Sequence, residues 1–185
     1  MHEEGNRLKS ENITDYFFVT EKSGMENLAE ENLIVSSEDN NIFVGNTMID
    51  TLVKHQPDID ASTILGHFGV TKGEYGLVTM HRPSNVDNED GVQFIISMLE
   101  QLTEKCSLVF PVHPRTRKNI ESMGLWHQFE SIKGLIIGEP MGYFDFQKLI
   151  KHAKFVVTDS GGIQEETTFC QVPCITIREN TERPS

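Results

Sequence analysis

The residues best equipped for chemistry form one run, Thr158-Asp159-Ser160-Gly161-Gly162-Ile163-Gln164-Glu165-Glu166, entered from Phe155-Val156-Val157. The three bulky residues predict a short buried strand. Asp159 and Ser160 supply a turn and a helix N-cap, and Ile163 onward reads as a helix start. Strand, glycine turn and helix N-terminus together make a phosphate cradle. Free backbone N–H groups and the positive end of the helix dipole face the anion, and glycine lets it come close. A carboxylate from Glu165 or Glu166, in the first helical turn, could accept hydrogen bonds from a pair of sugar hydroxyls. The same Asp-Ser-Gly-Gly also reads as ordinary turn chemistry, and acidic residues favour first helical turns on dipole grounds alone. The run matches neither standard glycine fingerprint, so its spacing leaves both readings open.

The elements that must position this run decide between them. Four more apolar runs read as strands: 76–80, 107–112, 135–137 and 174–177. Helices are predicted between them over 91–105, 116–123, 144–153 and 164–169. The first of these helices repeats Val92, Ile95, Ile96, Leu99 and Leu102 at helical spacing. Continuous apolar strands alternating with helices predict a parallel α/β sheet. Polar residues follow each strand directly: His81 and Arg82, His113 and Arg115, Glu139, Ser160 to Glu166, then Arg178 and Arg183. In such a sheet the C-terminal strand ends share one edge, where ligands bind. Two histidines, several arginines and a glycine turn on one edge point to a phosphorylated ligand, because the guanidinium fork matches phosphate oxygens. Metal binding is the competing reading of the histidines. His81 and His113 lie on different loops, and no helix pairs ligands at metal spacing, so no metal is expected. Ser160 lacks the G-x-S-x-G elbow of a serine nucleophile.

Ahead of this domain the pattern is weaker. Residues 1–13 read as a solvated helix face, 15–20 as a strand, 23–31 as a helix capped by Ser23, and 42–44 as a strand. A turn at 45–47 leads into a helix over 48–55 with Ile49, Leu52 and Val53 on one face. Residues 56–60, with Pro57, read as a connection, 61–68 as helical, and 83–90 as a polar loop. The chain has 185 residues, enough for one good domain and a piece of another. Its net charge of -12 repels nucleic-acid backbones, so any nucleotide ligand is expected to be small and held locally. No apolar run is long enough to span a bilayer, and the polar first ten residues are no signal peptide. Cys106, Cys170 and Cys174 read as reduced thiols, which predicts a cytoplasmic protein.

Taken jointly, several motifs carry a resemblance. They are Glu3-Glu4-Gly5-Asn6-Arg7, Val44-Gly45-Asn46-Thr47-Met48-Ile49-Asp50, Val78-Thr79-Met80-His81-Arg82-Pro83-Ser84-Asn85, Pro111-Val112-His113-Pro114-Arg115-Thr116-Arg117, the run Thr158 to Glu166, and Arg178-Glu179-Asn180-Thr181-Glu182-Arg183-Pro184. In this order they closely resemble the non-hydrolysing UDP-N-acetylglucosamine 2-epimerase family, over essentially the whole chain. The resemblance implies two Rossmann-like domains in a GT-B arrangement. Residues 1–44 would be the tail of the N-terminal domain, and 45–185 the C-terminal, UDP-binding domain. Ser160, Gly161 and Gly162 would hold the diphosphate, Glu166 the ribose hydroxyls, and Phe146 with the backbone near Gly138 the uracil. His81 and Arg183 would contact the phosphates. Arg82 and His113 match positions that help bind a second, activating UDP-GlcNAc in bacterial members, and Glu3 matches an acidic residue of the catalytic cleft. No cofactor is implied, and family members are usually homodimers.

The family reaction interconverts UDP-GlcNAc and UDP-ManNAc: UDP is eliminated across C1–C2 of the sugar and re-added after rotation. This chain departs from the pattern in lacking most of the N-terminal domain and the last strand and returning helix, and in carrying His2 where proline is usual. It therefore reads as a fragment expected to be inactive alone. Two other readings stay open: a GT-B glycosyltransferase domain, which would share the glycines and the ribose carboxylate, and a non-catalytic nucleotide-sugar-binding module. The run from His81 to Asn85 favours the epimerase.

Overall fold

The computed structural model describes residues 5–6, 9–10, 13–30 and 40–178. The chain divides into two compact units, Met1–Thr51 and Leu52–Ser185.

In the first unit, β1 (Phe17–Val19) and β2 (Asn41–Phe43) pair in parallel, and α1 (Lys22–Glu30) follows β1. The close seat of α1 on β1 depends on Gly24, where a β-carbon would stand 2.8 Å from Val19 Cγ1. Ser23, expected to cap this helix, lies inside it and donates its hydroxyl to Glu21. The next helix, α2 (Thr47–Lys54), is capped by Asn46, whose side-chain oxygen accepts from Met48 N–H at 3.1 Å and Ile49 N–H at 3.3 Å. Leu52 is buried, but Val53, expected on the same face, is exposed.

The second unit is built on five parallel strands: β3 (Tyr75–Thr79), β4 (Ser107–Pro111), β5 (Leu135–Gly138), β6 (Phe155–Thr158) and β7 (Cys174–Thr176). Their order across the sheet is β5-β4-β3-β6-β7. The chain thus lays down β3, moves outward to β4 and β5, then returns to the other side of β3 for β6 and β7. Strand order reverses between β3 and β6, and this is the switch point where a parallel sheet opens a crevice. The two strands are in register, with Leu77 opposite Val156 and Thr79 opposite Thr158.

Side chains alternate across the sheet, as period-two geometry requires. One face presents Val78, Leu108, Phe110 and Val157 to Val92, Ile95, Ile96 and Leu99 of α6 (Glu89–Thr103), Ile120 of α7 (Pro114–Ser122) and Phe129 of α8 (Trp126–Ser131). The other presents Tyr75, Leu77, Val109 and Val156 to Leu149 and Ile150 of α9 (Tyr143–His152). The Tyr75 hydroxyl donates to the Leu149 carbonyl at 2.6 Å, which satisfies a polar atom inside that core.

Two segments expected to be irregular are helical. Gln56–Ala61 forms α3, because Pro57 falls in its first turn, where a missing N–H costs no hydrogen bond. Ile64–Phe68 forms α4 beyond it. Pro83–Val86 forms the short α5 on the same principle, and Asn88 then caps α6 by accepting from Gly91 N–H at 2.8 Å. The last helix, α10 (Gly161–Phe169), leads from β6 towards β7.

Candidate functional site

The site is assembled where β3 and β6 end side by side. Asp159, the first residue after β6, has no exposed surface. Its carboxylate reaches across to the loop after β3. It accepts from His81 N–H at 3.0 Å, Arg82 N–H at 2.8 Å and the Asn85 amide at 3.0 Å, and His81 Nδ1 lies 3.0 Å from Oδ1. The Asn85 amide also donates to the Ile177 carbonyl at 3.3 Å, which brings in the end of β7. One buried carboxylate therefore ties together three strand ends. Burial alone would push it up; the hydrogen bonds from His81, Arg82 and Asn85 outweigh burial and hold it below its ordinary value. The same Asp159 bond pushes His81 up, against partial burial and the nearby Arg82 charge. Sequence alone assigns Asp159, with Ser160, to a turn and a helix N-cap. Its role depends on a partner 78 residues away, and the signal available was an acidic residue at the end of a buried strand.

Ser160 takes the N-cap position of α10 with extended backbone, and its side chain makes no capping bond. Its own N–H is directed back to Thr158 Oγ1 at 3.0 Å. The start of α10 therefore keeps the character of an anion cradle. Its bareness matters: a β-carbon on Gly161 would stand 3.0 Å from Nη1 of Arg178, whose guanidinium packs on this turn. A guanidinium against the positive end of a helix dipole adds like to like, an arrangement suited to a bound anion.

Beside this turn lies a cavity of about 220 Å³ lined by His81, His113, Pro140, Met141, Phe146 and Ile163, among others. His81, His113 and Phe146, expected from sequence to act on one ligand or its neighbour, are thus brought together. His113 caps α7, its Nδ1 accepting from Arg115 N–H at 3.3 Å, so its neutral form carries the proton on Nε2. Arg82 stands at the N-cap of α5, its backbone on Asp159. Arg115, one of the strand-end arginines, is committed to Asp87 at 2.8 Å.

Glu166 lies one turn further along α10 and is only 6% exposed. Burial pushes its carboxyl up, partly offset by a hydrogen bond from the Gln147 side chain of α9. Gln147 is itself buried, and its Oε1 has no partner. Glu3 and Arg183, the remaining expected site residues, lie outside the described residues. Among the described residues no group of three or more His, Cys, Asp or Glu side chains could hold a metal ion. None of the described helices is long and apolar enough to cross a membrane.

Comparison with known proteins gives a consistent result. The family model described as UDP-N-acetylglucosamine 2-epimerase matches residues 1–185. The UDP-N-acetylglucosamine 2-epimerase of Methanocaldococcus jannaschii is 37% identical over 190 residues, covering 100% of this chain and 51% of its own. That of Methanococcus maripaludis is 35% identical over 189 residues, with the same coverages. A crystal structure of the M. jannaschii enzyme in complex with UDP-GlcNAc and UDP superposes with a TM-score of 0.83 at 34% identity, over 97% of this chain and 49% of that one. The chain thus spans about half the length of the curated relatives it matches. The parallel sheet flanked by helices is the one expected from sequence, and the matched structures are of the GT-B type.

Proposed function

The chain belongs to the UDP-N-acetylglucosamine 2-epimerase family, and from that premise we propose that it forms the UDP-binding half of an enzyme interconverting UDP-GlcNAc and UDP-ManNAc. The observation that carries this reading is that the helix N-terminus at Ser160, Gly161 and Gly162 opens beside the His81–Phe146 cavity, with the buried Glu166 on the same helix. In this reading Phe146 receives the uracil, Glu166 accepts from the ribose hydroxyls, and the start of α10 with His81 and Arg183 holds the diphosphate. Arg82 and His113 serve a second, activating UDP-GlcNAc. Residues 1–44 belong to the preceding domain, and Glu3 serves as an acidic group in catalysis.

The reaction divides into two demands. A base removes the proton at C2 while the C1–O bond breaks, its electron pair leaving on the β-phosphate, and C1 and C2 become doubly bonded. UDP then adds back at C1 as a proton reaches C2 from the opposite face. This chain answers the second demand. Negative charge grows on the departing phosphate, and preorganised donors aimed at growing charge are worth about 3–4 kcal/mol each. Backbone N–H groups at Gly161 and Gly162 and a protonated His81 are such donors. Among the described residues, those lining the cavity include no carboxylate, and the base for the C2 proton is expected from the preceding domain. The 185 residues are therefore expected to bind UDP without epimerising. The three unpaired cysteines suit the cytoplasm, and the completed protein is expected to be a homodimer.

Calorimetric titration of the chain with UDP, beside Glu166→Ala, tests this. Saturable binding that the substitution weakens supports the reading, and epimerisation should appear once a complete N-terminal domain is supplied. A folded, complete protein that binds UDP yet only transfers the sugar to an acceptor would favour a glycosyltransferase.

A further inference from the structure

We infer that Asp159 is a positioning residue for His81, holding the imidazole by Nδ1 so that Nε2 is the nitrogen presented to the departing phosphate. The inference rests on the epimerase reading and deepens it at one group.

His81 lines the cavity, and its side chain is 51% exposed, whereas Asp159 beneath it is fully buried. Asp159 contacts His81 twice, at the backbone N–H and at Nδ1. Together these bonds fix both the position of the residue and the plane of its ring. An ionised carboxylate only accepts, so Nδ1 must carry a proton. The ring's second nitrogen is left for the ligand. If the ring were neutral, Nε2 would be a bare acceptor and would repel a phosphate oxygen. When the ring is a cation, Nε2–H donates a charge-assisted bond. The titratable and charged groups facing the ring are Asp159 below, Arg82 beside it and His113 across the cavity. Asp159 favours the cation and Arg82 opposes it; the net direction is towards the cation.

A purely structural role for Asp159 would leave the imidazole tautomer and its titration unconstrained, and this separates the two explanations. In the unmodified chain carrying 15N-histidine, with the His81 signal identified by its loss in His81→Asn, the neutral ring should be the Nδ1–H tautomer. The ring should also titrate above the ordinary histidine value. An Nε2–H tautomer with ordinary titration overturns the proposal. This measurement needs no Asp159 variant to fold. The second arm is Asp159→Asn. At pH 8 its UDP affinity relative to the unmodified chain should fall, by up to the roughly tenfold loss expected for one charge-assisted bond. At pH 5.5, where an unassisted imidazole is mostly protonated, that ratio should return to within about threefold. Taking the ratio at each pH cancels the titration of UDP itself. A loss that is the same at both pH values is structural and overturns the proposal. Uridine, which lacks the diphosphate, should bind the variant and the unmodified chain alike. Failure of the unmodified chain to bind either ligand refutes the nucleotide-site reading, whereas the tautomer is read from the free chain whatever the ligands do.

Discussion

Glu166→Gln is the substitution on which the site's reading is most exposed, because binding and stability should move in opposite directions. Glu166 is 6% exposed, and burial pushes its carboxyl up. A carboxyl whose folded value lies above its unfolded one destabilises the fold once pH exceeds the unfolded value, near ~4.3. The amide removes that cost. It also brings two N–H donors to a place where the buried Oε1 of Gln147 has no partner, while its own oxygen can keep the bond from Gln147. Satisfying a buried acceptor is worth about 1 kcal/mol, or about 2–4 °C in Tm for a chain of this size. The wild-type deficit should shrink in acid, as Glu166 itself becomes neutral. For UDP the outcome is reversed. Ribose hydroxyls donating to a carboxylate form charge-assisted bonds worth about 1.5–3 kcal/mol, so affinity should fall roughly 10- to 150-fold. Calorimetric titration with UDP and thermal unfolding between pH 4 and pH 8 read both quantities on one preparation. A lower Tm with unchanged UDP affinity would refute the reasoning, since Glu166 would then be a structural residue with no part in the site.

Three further outcomes are expected. Gly91→Ala would put a β-carbon 2.5 Å from the backbone oxygen of Asn85, which cannot swing aside; urea denaturation should show a loss of about 1–3 kcal/mol, and UDP should bind more weakly because Asn85 is bonded to Asp159. Gly161→Ala meets only the guanidinium of Arg178, so stability should stay within about 0.5 kcal/mol of wild type; UDP affinity, read by titration, should fall roughly tenfold as the cradle at the start of α10 fills. The His81–Asp159 pair sets a stability window: the His81 contribution is complete below the ordinary histidine value of ~6.5 and lost as pH rises through its raised folded value, and the Asp159 contribution is complete above ~3.9 and lost as pH falls through its lowered one. Urea titrations of wild type and Asp159→Asn should therefore differ most between these limits.

The sheet was legible because its signals are local. Each strand is a short apolar run, and helices such as α6 repeat Val92, Ile95, Ile96 and Leu99 along one buried stripe. Placing the polar residues at strand ends puts His81, His113 and Ser160 on one edge. The misses have a common cause. Pro57 and Pro83 read as breakers, yet each sits in a first helical turn, where the position and not the residue decides the effect. A six-residue helix such as Trp126–Ser131 is too short to show a period; its packing, with buried Phe129 set 6.3 Å from Phe110 of β4, is tertiary.

Asp159 and Glu166 show why residue type and spacing alone could not separate site from scaffold. Both are acidic, both are buried, and they flank the same glycines. By position the first helical turn offers Glu165 and Glu166 alike, the family resemblance selects Glu166, and Asp159 reads as part of the turn and cap before them. The structure distinguishes them by what their oxygens already accept. Asp159 is met by two backbone N–H groups, an amide and an imidazole, so it stays charged, and little capacity is left for a ligand. Glu166 is met by Gln147 and is held in a place that disfavours its charge. A buried carboxylate with spare lone pairs gains from donors that arrive with a ligand, and two adjacent hydroxyls are such donors. The first carboxylate, its bonding complete within the protein, can act on a ligand only through the groups it holds, and the one that reaches the cavity is His81.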